Sequence, residues 1–265
     1  MRSPFELASA IEKKSEGVYS VSIPAGWEQG RGAFGGVVLG ALARAIVDAE
    51  PDEGRLLRML SGEICAPVLA KPGEIQVELL RRGKNMTNAD ARFIQDGNVV
   101  ARASAGLSQK RSTAGESAFP ASPSRPPLGA AKKITMPDTV APAFSRNYDF
   151  RLTGPFPFSG YDKAIVEGYT REAEPPARLD AASIIALLDS YWPAIFSTLQ
   201  MPRAIATAGF TAQLLIDPAE LDASEHLFYR AHAPVIHEGF FVELRELWSG
   251  DRVVAMNQQT FAILA

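Results

Sequence analysis

The chain has 265 residues, 46% of them hydrophobic and 22% charged, with 27 Lys+Arg against 30 Asp+Glu. That apolar share supports a packed core and excludes disorder throughout, and a formal net charge of −3 excludes the basic stripe of a nucleic-acid surface. One cysteine, Cys65, excludes an intramolecular disulfide and a Cys-rich metal site.

No apolar run reaches the ~18 residues of a membrane span, and the N-terminal stretch carries charges where a signal peptide needs an apolar core, so a cytoplasmic setting is expected. Gly30-Arg31-Gly32-Ala33-Phe34-Gly35 spells the dinucleotide fingerprint G-x-G-x-x-G. Residues 23–29 separate it from the preceding alternating strand, and no βαβ unit follows, so a Rossmann site is not expected. Gly35 and Gly36 are better read as opening a helix, Phe34–Ala49, whose backbone approaches a neighbouring strand or a ligand oxygen closely. The helix is apolar on most faces and is expected to be buried. Alternating strand patterns follow at Leu57–Ala66, Gly73–Arg82, Asn88–Gln95 and Val99–Leu107, the last two joined by a turn at Asp96-Gly97. Cys65 falls in the first and reads as an inert core thiol. Arg81, Arg82 and Lys84 make a short basic cluster, either a solvated strand end or an attractor for an anionic ligand.

From Lys110 to about Pro142, Ser, Ala, Pro and Gly dominate and large aliphatics are scarce, so the stretch reads as a linker. The expected organisation is a domain over residues 1–112, a linker over 113–145 and a second domain over 146–265. The second half repeats the first. A helix is predicted over Leu179–Leu199, then strands over Ala206–Ile216, His226–Pro234, Phe240–Trp248 and Val253–Ile263, with a turn at Ser249-Gly250-Asp251. Matching order, helix type and strand number point to duplication. The expected architecture is α+β, two antiparallel sheets each wrapped around a central helix. Exposed sheet edges favour a homo-oligomer.

Polar residues interrupt the apolar pattern of the second half in three places. Asp189 lies within Ile184–Trp192, where an unpartnered carboxylate is costly; it either faces solvent with Ser190 or has a task. Asn257, Gln258, Gln259 and Thr260 interrupt the last strand, and Thr207 and Thr211 the strand after the helix. Overlaying the halves puts Arg44 opposite Asp189 and Ala105 opposite Gln259, so a grouped site would be asymmetric. His226, His232 and His237 lack metal-ligand spacing, and no G-x-S-x-G elbow occurs.

Residues 33–42, AFGGVVLGAL, resemble the N-terminal motif of the acyl-CoA thioesterase II (TesB-like) family, a double hot-dog fold. Asp189, Ile205-Ala206-Thr207 and the closing residues 253–259, VVAMNQQ, are similar to the same family. The resemblance implies hydrolysis of an acyl-CoA, with Asp189 activating water, Thr207 and Gln259 holding it, and Gly35, Gly36 and Thr211 meeting the substrate. It implies no metal and no other cofactor. A non-catalytic hot-dog protein that binds acyl-CoA or another hydrophobic ligand is the alternative. An enoyl-CoA hydratase is disfavoured, because an Asp-x-x-x-x-His pair would need a histidine where Ala194 stands.

Overall fold

The computed structural model describes residues 2–111, 121–135 and 141–264. A one-turn helix, α1 (Pro4–Ala8), leads into a hairpin of β1 (Ile11–Ser15) and β2 (Val18–Ser22). A two-stranded ribbon, β3 (Glu28–Gln29) and β4 (Gly32–Ala33), turns through the predicted glycines and delivers the chain to α2 (Gly35–Ala49). Then come β5 (Leu56–Ile64), β6 (Pro72–Arg82), β7 (Met86–Gln95) and β8 (Asn98–Ser108). After a short β9 (Lys132–Lys133), the second half runs through β10 (Tyr148–Leu152), β11 (Ile165–Glu172) and α3 (Ala181–Asp189). It ends with β12 (Ile205–Leu214), β13 (Leu227–His237), β14 (Phe240–Ser249) and β15 (Arg252–Ile263). The strands β10 and β11 were not among those expected from the pattern.

The expected α+β class holds, but the two separate sheets do not. Among the described residues, thirteen strands form one antiparallel sheet in the order β1-β2-β6-β7-β8-β5-β12-β15-β14-β13-β11-β10-β9. The halves fuse where β5 pairs with β12, Leu60 opposite Ala212 and Gly62 opposite Phe210. Pairing these strands satisfies N–H and C=O groups that two unjoined edges would leave open. The sheet curls around α2 and α3, which pack on one another inside it.

The two halves obey an approximate two-fold, and Ser61 and Thr211 lie on its axis as mutual register partners. Each half carries the same bulge, between Leu57 and Met59 in β5 and between Thr207 and Gly209 in β12. A Cβ on Gly36 would lie 2.9 Å from the Ala186 Cα, and one on Gly40 3.5 Å from the Ala182 Cβ. This reciprocal contact equates Gly36 with Ala182 and Gly40 with Ala186. Asp189 therefore corresponds to Ala43, one residue away from the Arg44 of the sequence overlay.

Two further expectations change. The helix predicted to Leu199 stops at Asp189, and a tight 3-10 turn follows over residues 194–197. Pro193 has no N–H for the Asp189 carbonyl and its ring would collide with that carbonyl, so the helix cannot run on. Cys65 is exposed rather than in the core. It lies just past β5, in line with Met59 and Ser61, which face away from the helices beyond the bulge, whereas Leu57, before the bulge, lies on the buried face.

Of the segment expected as a linker, residues 113–120 and 136–140 lie outside the described residues. Within the remainder, β9 pairs with β10, and Phe144 stacks on Phe34 with ring centroids 3.9 Å apart and planes 3° from parallel. Phe34 is the N-cap residue of α2, so this contact ties the lead-in of the second half to the start of the first helix.

Candidate active site

Three elements of the second half bring the predicted trio together. Stopping α3 at Pro193 leaves Asp189 in its last turn, 9% exposed. The β15 alternation turns Asn257, Gln259 and Phe261 to the helix side. In β12 the bulge resets the alternation, so that Thr207, opposite Phe261, shares the face of Gln259. The Gln259 Nε2 donates to Asp189 Oδ1 at 3.1 Å and to Thr207 Oγ1 at 2.9 Å. One amide thus links hydroxyl and carboxylate. Gln259 Oε1 is buried without a hydrogen-bond partner among the described residues, an acceptor still open.

Gly35 also joins the group. A Cβ there would lie 2.7 Å from Asp189 Oδ2, so only glycine lets the helix start approach this closely. The Gly36 backbone N–H favours the charged form of Asp189. The Val37 and Val38 N–H groups both turn back to the Phe34 carbonyl, at 3.1 and 3.2 Å.

Thr211 is not part of this constellation. Beyond the bulge it pairs with Gln258 on the opposite face of the sheet, and its hydroxyl meets Ser61 Oγ at 3.2 Å. In an unbroken strand Thr207 and Thr211 would share a face; the extra residue separates them. Arg82 is likewise remote. It donates to Glu50 Oε1 at 2.9 Å, beyond the C-terminal end of α2, whereas Gly35 opens that helix.

Two residues that sequence reasoning passed over complete the site. Arg245, 1% exposed, donates from Nη1 to Asp189 Oδ1 at 3.1 Å and to the Leu188 carbonyl at 3.0 Å, and from Nε to Glu243 Oε1 at 2.8 Å. Glu243 is fully buried, and its Oε2 accepts from the Ala194 N–H at 2.8 Å. Phe241, Glu243, Arg245 and Leu247 form one parity of β14, and the apolar pair that brackets this row was the available signal of an inward charge. Burial raises the Asp189 pKa, and Arg245, the Gln259 amide and the Gly36 N–H pull against it without cancelling it. Burial also opposes the charge of Arg245, but the Glu243 and Asp189 carboxylates hold its pKa above the ordinary value.

The two-fold shows what the fold itself requires at these positions. In the sheet registers, Thr207 and Gln259 correspond to Leu57 and Ala105, and Glu243, Arg245 and Asn257 to Ala89, Ala91 and Ala103. With Ala43 for Asp189, each polar member has a buried apolar counterpart. The same architecture is built without them.

Residues 23–108 match the acyl-CoA thioesterase N-terminal domain family and residues 120–263 the acyl-CoA thioesterase C-terminal domain family. Among solved structures, a conserved hot-dog-fold protein from Alicyclobacillus acidocaldarius is similar, at TM-score 0.92 and 23% identity over 100% of this chain and 99% of that one. An acyl-CoA thioesterase II, TesB2, from Mycobacterium marinum aligns at TM-score 0.78 and 19% identity over 98% of each chain. A TesB protein from Mycobacterium avium subspecies paratuberculosis aligns at 0.79 and 14% over 98% of each. No curated sequence matches the chain. The fold is therefore the hot-dog fold, and the chain belongs to the acyl-CoA thioesterase family.

Proposed function

We propose that the chain hydrolyses an acyl-CoA by direct attack of water, with Asp189 as general base. One observation carries this reading: Asp189, Thr207 and Gln259 arrive from three separate elements and are joined through a single amide, with Asp189 and Gln259 buried and Thr207 half-buried. Asp189 Oδ1 is occupied by Gln259 and Arg245, which leaves Oδ2, beside Gly35, to accept a proton. A water donating to Oδ2 and to the unpaired Gln259 Oε1 could accept from the Thr207 hydroxyl, which restricts its direction of attack.

The water oxygen bonds to the thioester carbonyl carbon while its proton passes to Asp189. The C–S bond then breaks, and the departing thiolate takes that proton from Asp189, giving a carboxylic acid and the free thiol of CoA. The carbonyl oxygen gains charge in the tetrahedral stage. The Gly35 N–H, at the positive end of α2, is the donor suited to it, because the next amides are already engaged.

The test is thiol release from acyl-CoAs of graded chain length, followed with a thiol reagent. The wild-type chain should turn over part of the panel, and Asp189→Asn should lose at least about 100-fold in kcat, the usual scale for a general base. A wild-type chain that binds acyl-CoA and releases no thiol would establish the binding-protein alternative instead.

A further inference from the structure

We infer that Arg245 and Glu243 act as one positioning unit for Asp189: the guanidinium aims the carboxylate, and the Glu243 carboxylate offsets the guanidinium charge. This rests on the reading of Asp189 as the base. The geometry is that of a bridge. Arg245 engages Asp189 through Nη1 and Glu243 through Nε, and its Nη1 also holds the Leu188 carbonyl at the end of α3. The planar guanidinium thereby fixes both the helix end and the carboxylate on it, a task for which a lysine lacks the fork. Its face lies over the Phe261 ring, 5.3 Å from the centroid. Glu243 is anchored independently through the Ala194 N–H, just beyond Pro193.

Folding alone does not account for the pair. At the two-fold-related positions the chain carries Ala89 and Ala91, and there the sheet closes over α2 with no buried charge. Burying two carboxylates and a guanidinium is costly relative to apolar packing. They occur in the half that holds Asp189, Thr207 and Gln259, and they touch Asp189 directly.

The charge balance is what the arrangement supplies. A lone guanidinium against Asp189 would make it a weak base, since an adjacent cation favours the ionised carboxylate. Glu243 on the other arm of Arg245 offsets that pull. The other titratable groups facing Asp189 are Tyr148 from β10 and Tyr229 from β13; those facing Glu243 are Arg245 and Tyr229. Both tyrosines are buried and neutral, so Glu243 is the negative charge that offsets Arg245.

The experiment titrates Asp189 by 13C NMR of aspartate-labelled protein, its signal assigned by loss in Asp189→Asn. Glu243→Gln removes the charge and keeps the shape of the side chain, with one acceptor oxygen left for Arg245 or for the Ala194 N–H. It should lower the Asp189 midpoint by about one unit, a tenfold change in proton affinity, and move the acid limb of kcat/KM down in pH by the same amount. The double variant Arg245→Met/Glu243→Gln removes both partner charges, leaves Asp189 as a buried carboxyl with no cation beside it, and should raise the midpoint; it supplies the measurement if the single variant does not fold. Asp189 midpoints equal to wild type in the variants that fold would overturn the inference. The NMR titration needs no turnover, so it stands apart from failure of the hydrolase reading, which would show as a wild-type chain that releases no thiol.

Discussion

Gly35→Ala isolates the contact between the two helices at the site. The alanine Cβ would lie 2.7 Å from Asp189 Oδ2, whereas ordinary contact begins near 3.4 Å, so a shift of roughly 0.7 Å is required. Asp189 cannot swing away freely, because its other oxygen is held by Gln259 and Arg245 at 3.1 Å each. The displacement therefore goes into the carboxylate and the helix start, where a misplacement of about 1 Å can cost about 100-fold in rate. Stability should change little. Alanine favours helix over glycine by up to about 1 kcal/mol, against an overpacking cost of about 1–3 kcal/mol. The assay is kcat by thiol release on the best acyl-CoA of the panel, with a thermal melt on the same preparation. A drop of about 10- to 100-fold in kcat with a melting temperature within a few degrees of wild type is expected. A kcat within twofold of wild type would refute the placement of Oδ2 as the reactive oxygen.

Glu172, buried at the end of β11, has its pKa pushed up to about 7 by burial and by the nearby Asp180 and Glu6 charges, against a hydrogen bond from Ser3. The folded state thus holds a proton that the unfolded state, near 4.5, releases. Stability should fall as pH rises from about 4.5 to about 7 and then level, by about 1–3 kcal/mol. Glu172→Gln should flatten that slope in denaturant titrations between pH 4 and 8, and an unchanged slope would contradict it. Phe144→Ala removes the stack on Phe34 and should cost about 3–5 kcal/mol in the same titrations; a loss under about 1 kcal/mol would mean that the second half does not brace the start of α2.

Local chemistry made much of this molecule legible in one dimension. The hairpin between β7 and β8 follows from Asp96 and Gly97, both at positive φ as a tight reversal demands, and the alternating strands follow from the two-residue repeat of side chains. Asp189, Thr207 and Gln259 stood out because polar groups on apolar segments are costly without partners. Other features depend on residues distant in sequence. Nothing near Ser61 announces that β5 will meet β12, so the joining of two sheets into one was out of reach. The bulge beside Thr207 is a property of the β12–β15 pair; it reversed the side of the sheet on which Thr211 lies. Arg245 and Glu243 read as ordinary strand charges until the curl of β14 against α3 turned them inward. Residue pattern alone says which segments repeat and which residues are out of place in a core. Which of them meet is settled by the fold, because strand pairing and face are set by contacts between segments that carry no local record of one another.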